Sequence, residues 1–171
     1  TLIGGELPVP VDDAGKFAIE GVALDPRRVQ ANNLPSGQII RKLEYNGIET
    51  DPLFLELNPA AISHHLKIHV GRLQNGISGE VKRDGKPVEK AVIFGADEST
   101  LHAWKNPTFV SGETGPDGRY SITALRPGSY RLLVLGNMRE SLGIKERFLR
   151  GEGVKVKVEE TTKAVQDFEL K

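Results

Sequence analysis

The stretch GPDGRYSITALRPGSYRLLVLGN, residues 115–137, has a weaker counterpart near the start of the chain, VDDAGKFAIEGVALDPRRVQANN, residues 11–33. When Gly118 is placed over Gly15, the apolar residues that follow match in one register. The matched pairs are Tyr120 with Phe17, Ile122 with Ile19, Leu125 with Val22, Leu132 with Val29, and Val134 with Ala31. Apolar residues two apart lie on one face of a strand. Each stretch therefore predicts a β-hairpin with one buried face.

Both predicted hairpins are followed by further strand patterns. Apolar and polar residues alternate over 53–57 in the first half and over 154–158 in the second, and a last strand is predicted at 66–70 and at 168–170. The alternating apolar residues are Leu53, Leu55 and Leu57, and then Val154, Val156 and Val158. The chain therefore contains two copies of one design with a boundary in GRLQNG, residues 71–76. The predicted domains are 1–72 and 73–171.

The composition favours an all-β protein. The 19 Gly and 10 Pro among 171 residues are typical of a chain that reverses after many short strands. Lys plus Arg and Asp plus Glu are 23 each, so no net charge attracts the protein to nucleic acid or to an anionic membrane. The absence of cysteine excludes disulfides, thiol nucleophiles and cysteine zinc sites.

The two copies differ after the predicted hairpin. In the first copy, Asn46-Gly47 predicts a type I′ turn between two strands. In the second copy, NMRESLGIKERFLRG, residues 137–151, predicts a short helix that Asn137 and Glu140 cap and Gly151 ends. The side chains predicted to face inward from this helix are Met138, Leu142, and Phe148 or Leu149.

The copies also differ in length before the matched glycine. The second copy has room for several strands there, whereas the first has only residues 1–14 before Gly15. The pieces expected to supply those strands and a turn are ISGEV (77–81), Asp84-Gly85, AVIFGA (91–96) and TFVSGET (108–114). Two or three strands of the first sandwich are therefore expected to be missing from this chain, and to come from a parent protein or another subunit. A piece with such an incomplete sandwich is expected to self-associate.

The second copy resembles a known family. ISGEVKRDGKPVEKAVIF (77–94) and TGPDGRYSITALRPGSYRLLV (114–134) are similar to the carboxypeptidase regulatory-like domains, prealbumin-like β-sandwiches related to the B-type repeats of bacterial collagen adhesins. The likeness implies an Ig-like Greek-key sandwich over most of 77–171, with a central hairpin built from the DGRY and PGSY pieces. The first copy resembles the last part of a sibling domain, although it has LDPRR at 24–28 where the family has Pro-Gly and an aromatic residue.

This resemblance implies a non-catalytic module, without a cofactor, in a larger bacterial protein of the cell surface, periplasm or outer membrane. The expected partners are other domains of that protein, a glycan or a surface protein, and no nucleic acid. The peptidase domain that such modules accompany is absent, as is an HxxE zinc motif. Because the chain opens at Thr1 without Met, we expect it to be a piece of a longer protein or a mature form.

One segment of the second copy is a candidate ligand site. ESTLHAWKNP, residues 98–107, lies between two predicted strands and contains the single tryptophan, Trp104. An aromatic ring on a sandwich loop can stack on a sugar, with His102, Lys105 and Asn106 as polar neighbours. The alternative is that Trp104 folds back as a lid over the core. The first alternative makes the protein a carbohydrate-binding module.

The sequence does not favour three other kinds of site: a metal site, an isopeptide bond and a hydrolase active site. His64, His65 and His69 occur together in ISHHLKIHV, but on one strand His65 and His69 would stand about 13 Å apart, too far for one metal ion. A Lys82 to Asp167 isopeptide bond, as in collagen-adhesin repeats, needs a buried pair, whereas the alternation places both side chains outward. Transthyretin-like hydroxyisourate hydrolases carry a Tyr-Arg-Gly-Ser signature where this chain has DFELK.

Overall fold

The protein is all-β, with many short strands and antiparallel sheets, and its described residues include two short α-helices. The computed structural model describes residues 2–3, 8–22, 24, 28–51, 55–102 and 107–170. These residues divide into two compact units, Thr1–Arg72 and Leu73–Lys171, called here the first and second units. Within the described ranges, no helix has the length and apolar character needed to cross a membrane.

The first unit contains two small antiparallel sheets. Its strands are β1 (Leu2–Ile3), β2 (Pro8–Val9), β3 (Gln30–Ala31), β4 (Gln38–Tyr45), β5 (Ile48–Thr50) and β6 (Leu66–Arg72). The strand order is β2-β1-β3 in one sheet and β5-β4-β6 in the other. Asn46 and Gly47 join β4 to β5 with φ of 49° and 81°, the two positive values that a type I′ turn requires. The predicted Asn-Gly hairpin is confirmed.

The core of the first unit is formed by a few aliphatic side chains. Its buried members are Val29, Ile40, Leu43, Leu55 and Leu57. A β-bulge between Ile40 and Lys42 inserts one residue into β4, so Ile40 and Leu43 can both face the core although they are three apart. The predicted strand at 66–70 is confirmed as β6. Leu53 of the predicted 53–57 strand lies outside the described residues.

The predicted hairpin of the first unit is wrong. Residues 16–20 form no strand, and among the described residues of the predicted second strand only Gln30–Ala31 form one, which pairs with β1. Phe17 and Val22 nevertheless pack against the core of the first unit. The apolar spacing therefore identified side chains that face the core, but it did not provide the neighbouring strand that a ladder of hydrogen bonds needs.

The second unit has two sheets. Its strands are β7 (Gly76–Arg83), β8 (Lys86–Pro87), β9 (Val92–Asp97), β10 (Phe109–Glu113), β11 (Arg119–Thr123), β12 (Gly128–Leu135), β13 (Val154–Val158), β14 (Lys163–Val165) and β15 (Phe168–Glu169). One sheet has the antiparallel order β10-β9-β12-β13. The other is centred on β7, which pairs with β11 and β8 antiparallel and with β14 and β15 parallel. The strands predicted at 77–81, 91–96, 108–114 and 154–158 are confirmed.

The central hairpin predicted for the second unit is also wrong, because β11 and β12 belong to different sheets. Their inward faces were predicted correctly: Tyr120 and Ile122 of β11, and Tyr130 and Leu132 of β12, are all buried in one core. The two strands approach that core from opposite sheets. The apolar spacing thus predicted the buried face of each strand, whereas the strand with which each one pairs is determined by the rest of the fold.

Short helices cover the outer face of the four-stranded sheet. They are α1 (Glu98–Leu101) and α2 (Ile144–Leu149), and a 3-10 turn (Met138–Ser141) precedes α2. A second core joins the sheet to the helices, and its buried members are Val92, Ala96, Leu101, Leu135, Ile144 and Phe148. The sheet therefore packs against apolar side chains on both of its faces.

The single capped helix predicted for 137–151 is replaced by two shorter pieces. Glu140 accepts hydrogen bonds from the Gly136 N–H at 3.1 Å and from Asn137 Nδ2 at 2.9 Å, which closes the 3-10 turn. Gly143, with φ of 72°, then breaks the helical path before α2. Phe148 is buried as predicted, whereas Leu142 is 87% exposed, so its predicted inward orientation is wrong.

Candidate functional site

The candidate site is a cleft of about 310 Å³ on the helix-covered side of the second unit. It is lined by Glu98, Leu101, His102, Arg131, Phe148, Leu149, Gly151 and Lys155. Helix α1 supplies one wall, α2 and Gly151 supply another, and β12 and β13 supply the floor. The cleft thus lies where the helical layer meets the sheet.

The wall formed by α1 is fixed by a buried N-cap. Asp97, the last residue of β9, accepts hydrogen bonds on Oδ1 from Ser99 N at 2.9 Å and from Ser99 Oγ at 2.7 Å. Thr100 Oγ1 donates to the Asp97 carbonyl at 3.0 Å and accepts from the Thr108 N–H at 2.9 Å. This network holds both ends of the segment that contains α1, and it places Glu98 against β12.

Glu98, Arg131 and Lys155, called here the Glu98 cluster, form the polar part of the cleft. Arg131 Nε and Nη2 both donate to Glu98 Oε1, at 3.0 and 2.7 Å. Lys155 Nζ lies 3.2 Å from Glu98 Oε2, so the carboxylate is shared by two cations. Arg131 Nη1 also donates to the Gly151 carbonyl at 2.8 Å, which ties β12 to the turn that follows α2.

The electrostatics of the cluster keep Glu98 ionised. Burial raises the free energy of the Glu98 carboxylate, but the hydrogen bonds from Lys155 and Arg131 outweigh burial and lower the pKa of the carboxyl below its ordinary value. Arg131 is only 14% exposed and each of its three guanidinium nitrogens donates a hydrogen bond, whereas Lys155 is 65% exposed. A carboxylate held in this way is a poor general acid, and the cluster is suited to fixing the cleft and presenting one ammonium group at its mouth.

The structure places only one of the four predicted ligand residues. His102 follows α1, is exposed and lines the cleft beside Glu98. Trp104, Lys105 and Asn106 lie outside the described residues. The interpretation of Trp104 as a sugar platform or as a lid therefore stays a prediction.

The sequence did not identify the Glu98 cluster. Its three members lie far apart in the chain, on α1, β12 and β13, so no spacing within a segment could join them. The available signal was weak: Arg131 and Lys155 are polar positions in alternating strands, and such residues usually face solvent. Only the pairing of β12 with β13, which sets Arg131 opposite Lys155, brings the two cations together.

The histidines of ISHHLKIHV are used in separate contacts. His64 stacks on Tyr45 with 5.9 Å between ring centroids, and its Nδ1 lies 2.6 Å from the Tyr45 hydroxyl. His69 Nε2 lies 2.9 Å from Glu44 Oε1 on the neighbouring strand. His65 immediately precedes β6, and its N–H donates to Asn46 Oδ1 at 2.8 Å. The described residues contain no group of three that could hold a metal ion.

The isopeptide candidates are also exposed. Lys82 is 46% exposed and lies 2.8 Å from Glu80 Oε2, and this hydrogen bond raises the pKa of the Lys82 ammonium. Such a lysine stays protonated and is a poor nucleophile. Asp167 accepts a hydrogen bond from the Glu80 N–H at 2.8 Å. The predicted outward orientation of both side chains is confirmed, and the exposed pair does not meet the requirement for the bond.

A comparison with protein-family models gives no match for this chain, and a comparison with curated protein sequences gives none. The resemblance to carboxypeptidase regulatory-like domains therefore rests on the residues quoted for it.

Proposed function

We propose that the protein is a non-catalytic structural module, made of two tandem β-sandwiches of the carboxypeptidase regulatory-like kind, that connects or presents other domains of a larger exported bacterial protein. The observation that carries this proposal is the way the second unit uses its buried polar groups. The buried hydroxyls of Thr114, Tyr120 and Tyr130 serve as internal ties between strands and loops.

Thr114 illustrates such a tie. Thr114 directly follows β10, and its buried side chain lies beside the segment that follows β8. Thr114 Oγ1 donates to the Val88 carbonyl at 2.6 Å and accepts from the Ala91 N–H at 2.9 Å. Both polar capacities of the hydroxyl are thus engaged within the fold, and the tie fixes the loop before β9.

The buried tyrosines are used in the same way. The Tyr120 hydroxyl donates to the Gln166 carbonyl at 2.6 Å, and the Tyr130 hydroxyl donates to the Arg126 carbonyl at 3.1 Å. Burial raises the pKa of both hydroxyls far above the neutral range, so both remain donors at physiological pH. These groups stabilise a fixed scaffold, which suits a module whose task is to hold neighbours in place.

The proposal includes a first unit that is an incomplete sandwich. Ile48 and Ile62 are exposed, and β5 and β6 are the outer strands of their sheet among the described residues. We expect the missing strands to come from the parent chain or from a second copy of this chain. Light scattering of the isolated protein should show self-association, or limited proteolysis should cut the first unit first; a monomer with uniform resistance would count against this expectation.

A carbohydrate-binding module is the second candidate, and the cleft is the observation that favours it. The cleft combines the apolar surface of Phe148 and Leu149 with the polar groups of His102 and Lys155, the mixture that sugar sites use. Trp104 follows His102 by two residues in the sequence. In this candidate function, Trp104 is the residue proposed to stack on the sugar.

A glycan and cell-wall polysaccharide array separates the two candidates. The wild-type protein, Trp104→Ala and the control Ile62→Ala, which removes an exposed apolar side chain in the first unit, are applied side by side. The structural proposal predicts no signal from any of the three. A signal that disappears in Trp104→Ala and persists in Ile62→Ala would replace it with the carbohydrate-binding module.

A further inference from the structure

The first and last strands of the second unit lie side by side and run in the same direction. Strand β7 pairs in parallel with β14, where Ile77 is opposite Ala164, and with β15, where Val81 is opposite Phe168. Strand β7 on one side and strands β14 and β15 on the other are together called here the terminal strand pair. Because the strands are parallel, the chain enters β7 at one end of the pair and leaves β15 at the other.

Hydrogen bonds cross the terminal strand pair along its length. The Gln166 N–H donates to the Ser78 carbonyl at 2.9 Å, and the Leu170 N–H donates to the Lys82 carbonyl at 2.8 Å. Between them, the Asp167 carboxylate accepts from the Glu80 N–H at 2.8 Å. The side-chain bond from Asp167 therefore fills the interruption between β14 and β15.

Close packing holds the same strands together. A methyl group at Gly79 would overlap the backbone carbonyl of Gln166, so the glycine allows the two backbones to approach. The Tyr120 hydroxyl donates a hydrogen bond to that same carbonyl, and the centroids of the Tyr120 and Phe168 rings are 6.3 Å apart. The last strands are thus fixed both to β7 and to the core.

The start of β7 has its own anchor. Asn75, which directly precedes the strand, is buried, and its Nδ2 donates to the Leu125 carbonyl at 2.8 Å and to the Glu159 carbonyl at 2.7 Å. The Asn75 carbonyl also accepts from the Ala124 N–H at 3.1 Å. These bonds join the point where the chain enters β7 to the loops before β12 and before β14.

We infer that the second unit is built to carry tension along the chain, with the terminal strand pair as the element that resists it. Tension applied at the start of β7 and the end of β15 acts along the strands, so the crossing bonds are loaded together and must fail together. Tension applied across one end of the pair would break them one at a time. This inference rests on the proposed structural function, in which the module connects other domains.

Single-molecule pulling in two geometries tests the inference. The full chain has no cysteine, so two introduced cysteines define the points of attachment. Gln74→Cys with Glu169→Cys loads the terminal strand pair along its length, and Arg83→Cys with Glu169→Cys peels it from one end; all three positions are exposed. At one loading rate, we expect the unfolding force to be about twofold or more higher in the first geometry, since forced unfolding is governed by the unfolding barrier.

A matched pair of variants assigns the resistance. Asp167→Ala removes a bond across the terminal strand pair, whereas Asp117→Ala removes a local bond to the Arg119 N–H at 3.1 Å. Asp167→Ala should lower the force in the lengthwise geometry, and Asp117→Ala should not. Equal forces in the two geometries of the wild-type protein, or equal losses in the two variants, would overturn the inference.

The outcome is distinct from that of the glycan array. Equal forces together with a silent array would leave a connecting module that is not built for tension. A glycan signal that depends on Trp104 would remove the structural proposal whatever the forces are.

Discussion

Residues 12–16 of the first unit and 115–119 of the second form the same turn, but only the second turn leads into a strand. In each turn the first N–H donates to the fifth carbonyl and the fourth N–H donates to the first carbonyl, all at 2.9 Å. The glycine at the fourth position has φ of 78° at Gly15 and 74° at Gly118. After Gly118 the chain continues as β11, whereas after Gly15 the described chain has no strand before β3.

The difference between the two regions is the presence of a partner. Strand β11 pairs over its whole length with β7, from Arg119 opposite Glu80 to Thr123 opposite Gly76. Residues 16–20 have no paired strand in the described structure. A turn is closed by its own residues, while a strand needs another strand to accept and donate its hydrogen bonds. The comparison teaches that the repeated sequence specifies the turn by itself, whereas it forms a strand only where a partner strand is available.

The largest expected effect comes from disturbing that partner. A valine at Gly79 would meet the Gln166 backbone and force β7 away from the last strands, so Gly79→Val should lower the free energy of unfolding of the second unit by about 3 kcal/mol. Urea denaturation measures the loss. Hydrogen exchange should then show reduced protection of the β11 amides, with the 115–119 turn retained.

The control for this change is Ser121→Val, which places the same side chain on an exposed position of β11. It should alter the unfolding free energy by less than about 0.5 kcal/mol. If the β11 amides keep their full protection in Gly79→Val, β11 does not depend on β7 and the lesson of the comparison fails.

A smaller loss is expected at Asn75. Asn75→Ala leaves the Leu125 and Glu159 carbonyls without their buried donor, which should cost about 2 kcal/mol in urea denaturation of the second unit. The matched change in the first unit is Asn58→Ala, where Asn58 Oδ1 accepts only from the Ala60 N–H in an exposed turn. That change should cost about 0.5 kcal/mol, and equal costs would contradict the different roles of the two asparagines.

The matched turns themselves provide the third prediction. Asp12 Oδ1 accepts from the Ala14 and Lys16 N–H groups at 2.9 and 2.7 Å, whereas Asp117 Oδ1 accepts only from the Arg119 N–H. Asp12→Ala should therefore lower the free energy of opening its turn by about 1 kcal/mol. Asp117→Ala should lower it by about half as much, because β7 still holds β11. Hydrogen exchange of the Lys16 and Arg119 amides measures both effects; a larger effect at Arg119 would reverse the comparison.

The last expected effect is the contribution of Glu98 to the pH dependence of stability. The pKa of Glu98 is lowered in the folded protein, so its contribution to stability is complete above the ordinary value of 4.5 and is lost as pH falls through the folded pKa. The loss should be no more than about 1 kcal/mol. Unfolding free energies measured from pH 6 down to pH 3 should fall less steeply in Glu98→Gln; identical slopes would contradict the prediction.

The sequence predicted those parts of the fold that depend on neighbouring residues. Alternation located β7, β12 and β13 with their buried faces, and the turns at Asn46-Gly47 and Asp84-Gly85 were read from the residues that adopt positive φ. It did not predict β14, because Ala164 is the only residue of that short strand packed against the core. Nor did it predict which strands share a sheet, since an apolar face specifies burial and not a partner.

The candidate site was less predictable than the fold. His102 was selected only as a neighbour of Trp104, and it does line a cleft. The charged part of that cleft joins α1, β12 and β13, and the contact between them exists only after the sheet has formed. Alternation alone assigns Arg131 to solvent, whereas in the structure it bonds to Glu98 of α1 and to Gly151 after α2 and is only 14% exposed.

The pairing of β7 with β14 and β15 also has a consequence for biosynthesis. Ribosomes deliver β7 first among the strands of the second unit, at roughly 5–20 residues per second, and its last partner is complete only when Glu169 has been made. During that interval one edge of β7 waits with unpaired backbone groups, which can template incorrect pairing with another chain. A nascent chain that stalls before residue 163 would therefore expose an aggregation-prone edge that the finished protein covers.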